Sequence, residues 1–264
     1  MRNQTPMPDA KIVIVLPAYN AARTLMRTLA EIPPEYRGHL ILVDDASKDD
    51  TVSVAQAAGL QVIVHERNRG YGGNQKTCYA AALAADADIV VMLHPDHQYD
   101  AKVIGRLVEP IRAGESDAVF GSRMLGGRPI EGGMPRWKYV ANVFLTAVAN
   151  VTFGRYLTEI HSGFRAYSRR YLETVRFADN SDDFVFDTEI IAQGMVCGLA
   201  FSEVPIVTRY FPEASSINLG RSIVYGTSVL GVLLRYALHR RGLLRSRQFE
   251  LKAAPARRPE LALR

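Results

Sequence analysis

KIVIVLPAYN, residues 11–20, is a run of branched apolar residues that stops at a proline and a polar pair. Apolar on every position and too short for a helix, it reads as a strand buried on both faces. The residues that follow, AARTLMRTLAEI, place Leu25, Leu29 and Ile32 at helical spacing, with Asn20 positioned to cap them. The same alternation then repeats. HLILVDDAS (39–47) is a strand and 49–59 a helix closed by Gly59. QVIVHE (61–66) is a strand, 67–75 a glycine-rich loop, and an alanine-rich helix follows it. DIVVMLHPD (88–96) is a strand, 101–114 a helix, and DAVFGSR (117–123) a strand. Buried strands alternating with helices predict an α/β fold with a doubly wound, mostly parallel sheet.

In such a sheet ligands bind beyond the carboxyl ends of the strands. Those ends carry Asp44 and Asp45, then His94 and Asp96, then Ser122 and Arg123. Turn and cap chemistry accounts for Ser47, Asp49 and Thr51 but not for two adjacent carboxylates closing an apolar strand. In an extended segment His94, Asp96 and Gln98 share one side. A carboxylate beside an amide oxygen suits Mg²⁺ or Mn²⁺, which also bridges phosphates. His94 with His97 raises zinc instead, but no third ligand stands at zinc spacing. RNRGYGGNQ (67–75), with Gly72 and Asn74, offers backbone N–H groups to a phosphate or sugar, or forms a plain turn. It matches neither the Walker nor the dinucleotide glycine pattern. Arg123, Arg128, Arg136 and Lys138 surround a Gly/Pro-rich stretch, where they meet a diphosphate or remain solvated. Ser162-Gly163-Phe164-Arg165 and Asp187-Thr188-Glu189 interrupt apolar surroundings, and caps explain part of both.

Beyond residue 124 the pattern changes to an apolar helix at 137–154, a mixed segment at 159–173, a helix from about 185, a strand near 200–211, and a long apolar helix from 222. With 48% hydrophobic and 22% charged residues, the chain has an ordinary globular composition. Two distant cysteines, Cys78 and Cys197, point to a reducing, cytoplasmic setting. No run reaches the ~18 apolar residues of a membrane span, and the N-terminus has no apolar signal core. The net charge of +5 is uneven: residues 235–264 hold eight arginines and one lysine against Glu250 and Glu260. Without a basic face elsewhere, a nucleic-acid partner is not expected. The apolar helix and its basic flank, 222–247, suit docking on an anionic membrane surface; a core helix or a homodimer contact is the other reading.

Taken together, VLPAYN (15–20), VDDASKDDT (43–51), NRGYGGNQ (68–75), LHPDHQYD (93–100), GSR (121–123), SGFRAYSRR (162–170) and EVPI (203–206) resemble the inverting family 2 glycosyltransferases of GT-A fold. The resemblance is closest to the dolichol- or polyprenol-phosphate mannose synthase branch. It covers about residues 11–210, with the motifs in the family's order. It implies a nucleoside-diphosphate-sugar donor, with Pro17, Tyr19 and Asn20 near the base and Asp45 on base and ribose. Asp96 and Gln98 would hold Mg²⁺ or Mn²⁺, Arg123, Arg136 and Lys138 would meet phosphates, and Ser162, Gly163, Phe164 and Arg165 would line the acceptor side. One departure stands out: the family's Asp-x-Asp reads His94-Pro95-Asp96, so His94 replaces the first carboxylate and would be the third metal ligand, since histidine also ligates Mn²⁺.

The implied reaction displaces the nucleoside diphosphate from the anomeric carbon, with metal and arginines stabilising the leaving group. A polyprenyl phosphate acceptor needs no base. A glycan or lipid hydroxyl does, and Asp187 or Glu189 stands where a base is expected. The implied organisation is a catalytic domain at 1–215, an interface helix at 216–245 and a disordered basic tail at 246–264, peripheral on the cytoplasmic face of a membrane. Two other classes share part of this pattern. A nucleotide-sugar sensor would keep Asp45 without needing Asp96. A nucleotidyltransferase would show a basic glycine-rich loop after the first strand, where PAYNAARTL stands.

Overall fold

The structure is a computed structural model and describes residues 5–125, 129–209 and 219–250. Its first half follows the alternation read from the sequence: β1 (Ile12–Ala18), α1 (Leu25–Glu31), β2 (Leu40–Asp44), α2 (Thr51–Ala57), β3 (Gln61–Val64), α3 (Gly70–Ala84), β4 (Ile89–Met92), α4 (Ile104–Arg112) and β5 (Ala118–Ser122). The second half holds α5 (Arg136–Phe153), β6 (Arg165–Ser168), α6 (Arg169–Thr174), α7 (Phe186–Val196), β7 (Phe201–Pro205) and α8 (Leu219–Arg240).

Seven strands form one sheet in the order β3-β2-β1-β4-β6-β5-β7. All neighbours are parallel except β6, which runs antiparallel to both β4 and β5. The mixed stretch 159–173 therefore contains a strand its polarity concealed. β6 is fully buried, and Arg165 and Ser168 satisfy their polar groups inside the protein.

The period of two in β1 sorts its side chains onto two cores. Val13 and Val15 pack with Tyr79 of α3, Leu145 of α5, Ile190 of α7 and Val229 of α8. Ile14 and Leu16 pack with Leu25 of α1 and Leu107 of α4. Both faces of the sheet are covered, as a parallel sheet requires.

Two sequence expectations change here. The helix predicted after the 67–75 loop begins earlier, at Gly70, so its glycines lie in the first turn of α3. The tail expected to be disordered from 246 instead docks at its start: Phe249 is buried among Tyr236 and His239, and the Gln248 amide donates to Asn180 Oδ1 at 2.8 Å. Residues 251–264, and the boundary expected near 215, lie outside the described residues. No helix among the described residues is long and apolar enough to cross a membrane.

Candidate active site

An open cleft of about 740 Å³ lies at the carboxyl ends of β1, β2 and β4. Pro17, Tyr19 and Asn20 form one wall, and Asp45 with Asn68, Gly70, Tyr71 and Asn74 forms the next. His94 and Asp96 lie across from them, Asp183–Val185 close the far side, and Gly220, Arg221, Val224, Tyr225 and Ser228 of α8 stand over the opening.

Asn20 does not cap α1. It adopts a left-handed φ of 52°, its N–H donates to Ser47 Oγ at 2.8 Å, and its Oδ1 accepts from the Lys48 N–H at 2.8 Å. It thereby fastens the loop after β1 to the loop after β2.

Asp45 is 3% exposed and heavily engaged. Oδ1 accepts from the Arg69 N–H at 2.7 Å and lies 2.8 Å from His65 Nδ1, and Oδ2 accepts from the Gly70 N–H at 3.0 Å. His65 Nε2 is in turn 2.9 Å from Thr77 Oγ1. A carboxylate at the first amides of a helix is favourably placed. Asp44 is also buried, but it accepts from the Ser47 N–H at 2.9 Å and does not line the cleft.

In the glycine-rich turn the Arg69, Gly70, Gly72 and Gly73 amides are taken by the protein itself. The Gly70 N–H serves Asp45, and the Gly72 N–H donates to the Asp182 carbonyl at 2.7 Å. Gly72 is required for packing, because a Cβ there would lie 2.3 Å from the Ser181 carbonyl oxygen. Asn74 reaches back to the Val43 carbonyl at 3.0 Å and ties α3 to the sheet.

His94 and Asp96 share the cleft as the extended spacing predicts. Burial pulls the His94 pKa below the usual histidine value, against the pull of Asp96. Its ring lies parallel to Tyr71, 5.6 Å between centroids. Gln98 donates its backbone N–H to Asp96 Oδ1 at 3.1 Å. His97 turns away to Arg209 at 3.3 Å and Glu31 at 3.9 Å, so the zinc alternative loses its second histidine. Among the described residues no three His, Cys, Asp or Glu side chains converge as a metal cage. Asp96 brings hard oxygens into the cleft, suited to a cation shared with phosphate oxygens, whereas Gln98 stands outside the cleft's lining.

The two base candidates separate. Two positions apart on a helix is about 200° around its axis. Asp187 faces inward, where Tyr71 donates to Oδ2 at 2.9 Å, the Gln75 amide donates to Oδ1 at 3.1 Å, and Arg165 lies 3.4 Å away. Glu189 faces α8, accepts from the Ser181 N–H at 2.6 Å and pairs with Arg235 at 3.1 Å. That geometry removes Glu189 from the cleft chemistry.

The remaining candidates stand outside the cleft's lining. Arg123 is buried and pairs with Glu159 through Nε at 2.8 Å and through Nη2. Arg136 is exposed at the start of α5; Arg128 lies outside the described residues. Burial lowers the Lys138 pKa, and the charge of Arg123 adds to the effect. Ser162, Gly163, Phe164 and Arg165 do not reach the cleft. Phe164 belongs to the core, and Arg165 donates to the Ser162 and Ile160 carbonyls at 2.6 and 2.9 Å and stacks on Phe120. Gly163 is needed because a Cβ would come 2.6 Å from His94 Nε2.

Sequence reasoning missed His65, Tyr71, Gln75, His161 and Tyr225. His65 follows the end of β3, so the strand-end rule that marked Asp45 pointed to it as well. Tyr225 of α8 lines the cleft and meets His161 Nδ1 at 2.7 Å. Burial and the charges of Arg123, Arg165 and Lys138 push His161 down to about 3, so it is neutral.

A strand-end cleft with carboxylates on its walls is the ligand crevice of an open α/β sheet. Residues 13–176 match the model of glycosyl transferase family 2, and the chain belongs to that family. It is a glycosyltransferase. An uncharacterized protein of Methanocaldococcus jannaschii is 30% identical over 224 residues, 85% of this chain and 91% of the relative. The UDP-N-acetylglucosamine–dolichyl-phosphate N-acetylglucosaminyltransferase of Methanococcus voltae is 26% identical over 240 residues, 83% of this chain and 95% of the relative. Among solved structures, glucosyl-3-phosphoglycerate synthase of Mycobacterium tuberculosis, in complex with Mn²⁺, UDP and phosphoglyceric acid, superposes with a TM-score of 0.64 at 23% identity. That match covers 87% of this chain and 79% of the synthase, and the shared fold is of GT-A type.

Proposed function

We propose that the chain transfers a sugar from a nucleoside-diphosphate sugar to a polyprenyl or dolichyl phosphate at a membrane surface. The observation that carries this reading is the placement of Asp96 in a cleft of about 740 Å³ opposite Tyr19 and Asp45. That volume lies within the range of small-molecule and cofactor sites. Tyr19 and Asn20 flank the base, and Asp45, held by His65 and two amides, meets base or ribose. Asp96, with Gln98 two residues on, would hold a divalent cation, which would supply charge neutralisation for the leaving group. The synthase that shares the fold was crystallised with Mn²⁺ and UDP, which supports this choice of ligand. Arg136 and Lys138, outside the cleft's lining, would add longer-range positive charge for the donor phosphates.

The acceptor half rests on the dolichyl phosphate named in the Methanococcus voltae relative and on two features of this chain. First, Asp187, the base candidate that faces inward, is enclosed by Tyr71, Gln75 and Arg165. A phosphate acceptor is ionised and needs no base. Second, α5 and α8 pack together, contain no acidic residue, and expose apolar residues such as Val140, Phe144, Ile223 and Leu234. With Arg136, Arg221, Arg240 and Arg241 around that face, it suits an anionic bilayer.

The test is transfer from labelled UDP-glucose, UDP-N-acetylglucosamine and GDP-mannose to polyprenyl phosphate, with Mn²⁺, Mg²⁺ or EDTA. Label entering the lipid only with metal present supports the reading. Tight nucleotide-sugar binding without turnover on any acceptor sinks it and leaves a sensor.

A further inference from the structure

Tyr71 lies in the first turn of α3, and its ring forms part of the cleft wall, whereas Asp187 behind it does not line the cleft. Its hydroxyl donates to Asp187 Oδ2 at 2.9 Å. The ring stacks on Phe184 at 4.7 Å and runs parallel to His94 at 5.6 Å, so it is held from both sides. Behind it, Gln75 occupies Asp187 Oδ1 and Arg165 approaches Oδ2. Gly163 permits this closure, since a Cβ there would stand 2.6 Å from His94 Nε2 and 3.3 Å from the Tyr71 hydroxyl. The Asp187 side chain is left 8% exposed. A carboxylate beside a bound donor would otherwise activate water or an alcohol.

We infer that Tyr71 is a specificity-determining cap: it withholds Asp187 from the cleft, so water and hydroxyl acceptors are not activated and only acceptors that arrive ionised react. The inference rests on the reading of the cleft as the donor site. In the suppressed reaction a water oxygen bonds to the anomeric carbon. The bond from that carbon to the diphosphate oxygen breaks, and its electron pair leaves on the nucleoside diphosphate. The water proton passes to Asp187.

The test measures sugar released to water and sugar transferred to polyprenyl phosphate, for the wild type and Tyr71→Ala, with the three donors named above. The ratio of hydrolysis to transfer is expected to rise about tenfold in Tyr71→Ala, short of the 10²–10⁴ of an evolved base because nothing has tuned the distance. Adding Asp187→Asn to Tyr71→Ala is expected to cancel the rise, which a merely structural role for Tyr71 would not produce. If Tyr71→Ala does not fold, Tyr71→Leu, which removes the hydroxyl and part of the ring's bulk, replaces it. A folded Tyr71→Ala with an unchanged ratio overturns the cap while leaving the donor site intact, as does a rise that persists in the double variant. A wild type that neither hydrolyses nor transfers any donor overturns the donor site and the cap with it.

Discussion

In the proposed donor site Asp96 is the carboxylate that would share a cation with the diphosphate, and His94 beside it cannot supply a second negative charge. Replacement Asp96→Asn is therefore expected to lower transfer by about 10²–10³, the loss typical when one group stabilising a developing charge is removed. Steady-state transfer assays with Mn²⁺ in excess check this. His161 gives a second expectation. Its folded pKa of about 3 lies below the ordinary value of 6.5. Between those values the unfolded chain binds a proton that the folded chain refuses, so stability falls as the pH drops from about 6.5 toward 3. The variant His161→Gln removes that contribution, so its melting temperature should decline less over the same window. Thermal denaturation at stepped pH reads the difference, and equal slopes would show that His161 takes up a proton without penalty.

At the scale of elements, the strand-end rule made Asp45, His94 and Asp96 legible, because ligands of a parallel sheet bind beyond the carboxyl ends of its strands. β6 was not legible: Arg165, Tyr167 and Ser168 are polar in sequence, and only their internal partners, invisible in one dimension, explain their burial. The glycine-rich turn misled for a related reason. Its glycines answer to the 181–182 backbone, more than a hundred residues away, not to a ligand. Hence Gly72→Ala should destabilise the protein by about 1–3 kcal/mol, the usual range for overpacking, and raise the donor KM, because the 183–185 wall is displaced. Calorimetry and donor titration check both parts. On the outer helices, introducing negative charge by Val140→Glu with Leu234→Glu is expected to abolish sedimentation with anionic vesicles. Nucleotide binding in solution should persist, since neither residue lines the cleft.

For the molecule as a whole, one sheet sets the cleft at its strand ends, and α5 and α8 expose apolar residues beside basic ones. The fold was readable because β1 to β5 each announce themselves by apolar runs. The proposed acceptor was less so, since that reading depends on which groups enclose Asp187 and on which sides of α5 and α8 stay uncovered. α5 read from sequence alone is simply apolar; the outward stripe of Trp137, Val140 and Phe144 emerges only once α8 and the sheet cover the other side. A nucleotide-sugar site bordering such a face suits a lipid acceptor whose phosphate enters the cleft while its chain stays in the bilayer. The most direct measurement is a competition in one set of vesicles between a polyprenyl phosphate and the polyprenol of the same chain length, with one labelled donor and Mn²⁺. The expected result is label in the phosphate lipid and none in the alcohol. Comparable labelling of the alcohol, lost in Asp187→Asn, would contradict it and make Asp187 the base of a hydroxyl transferase.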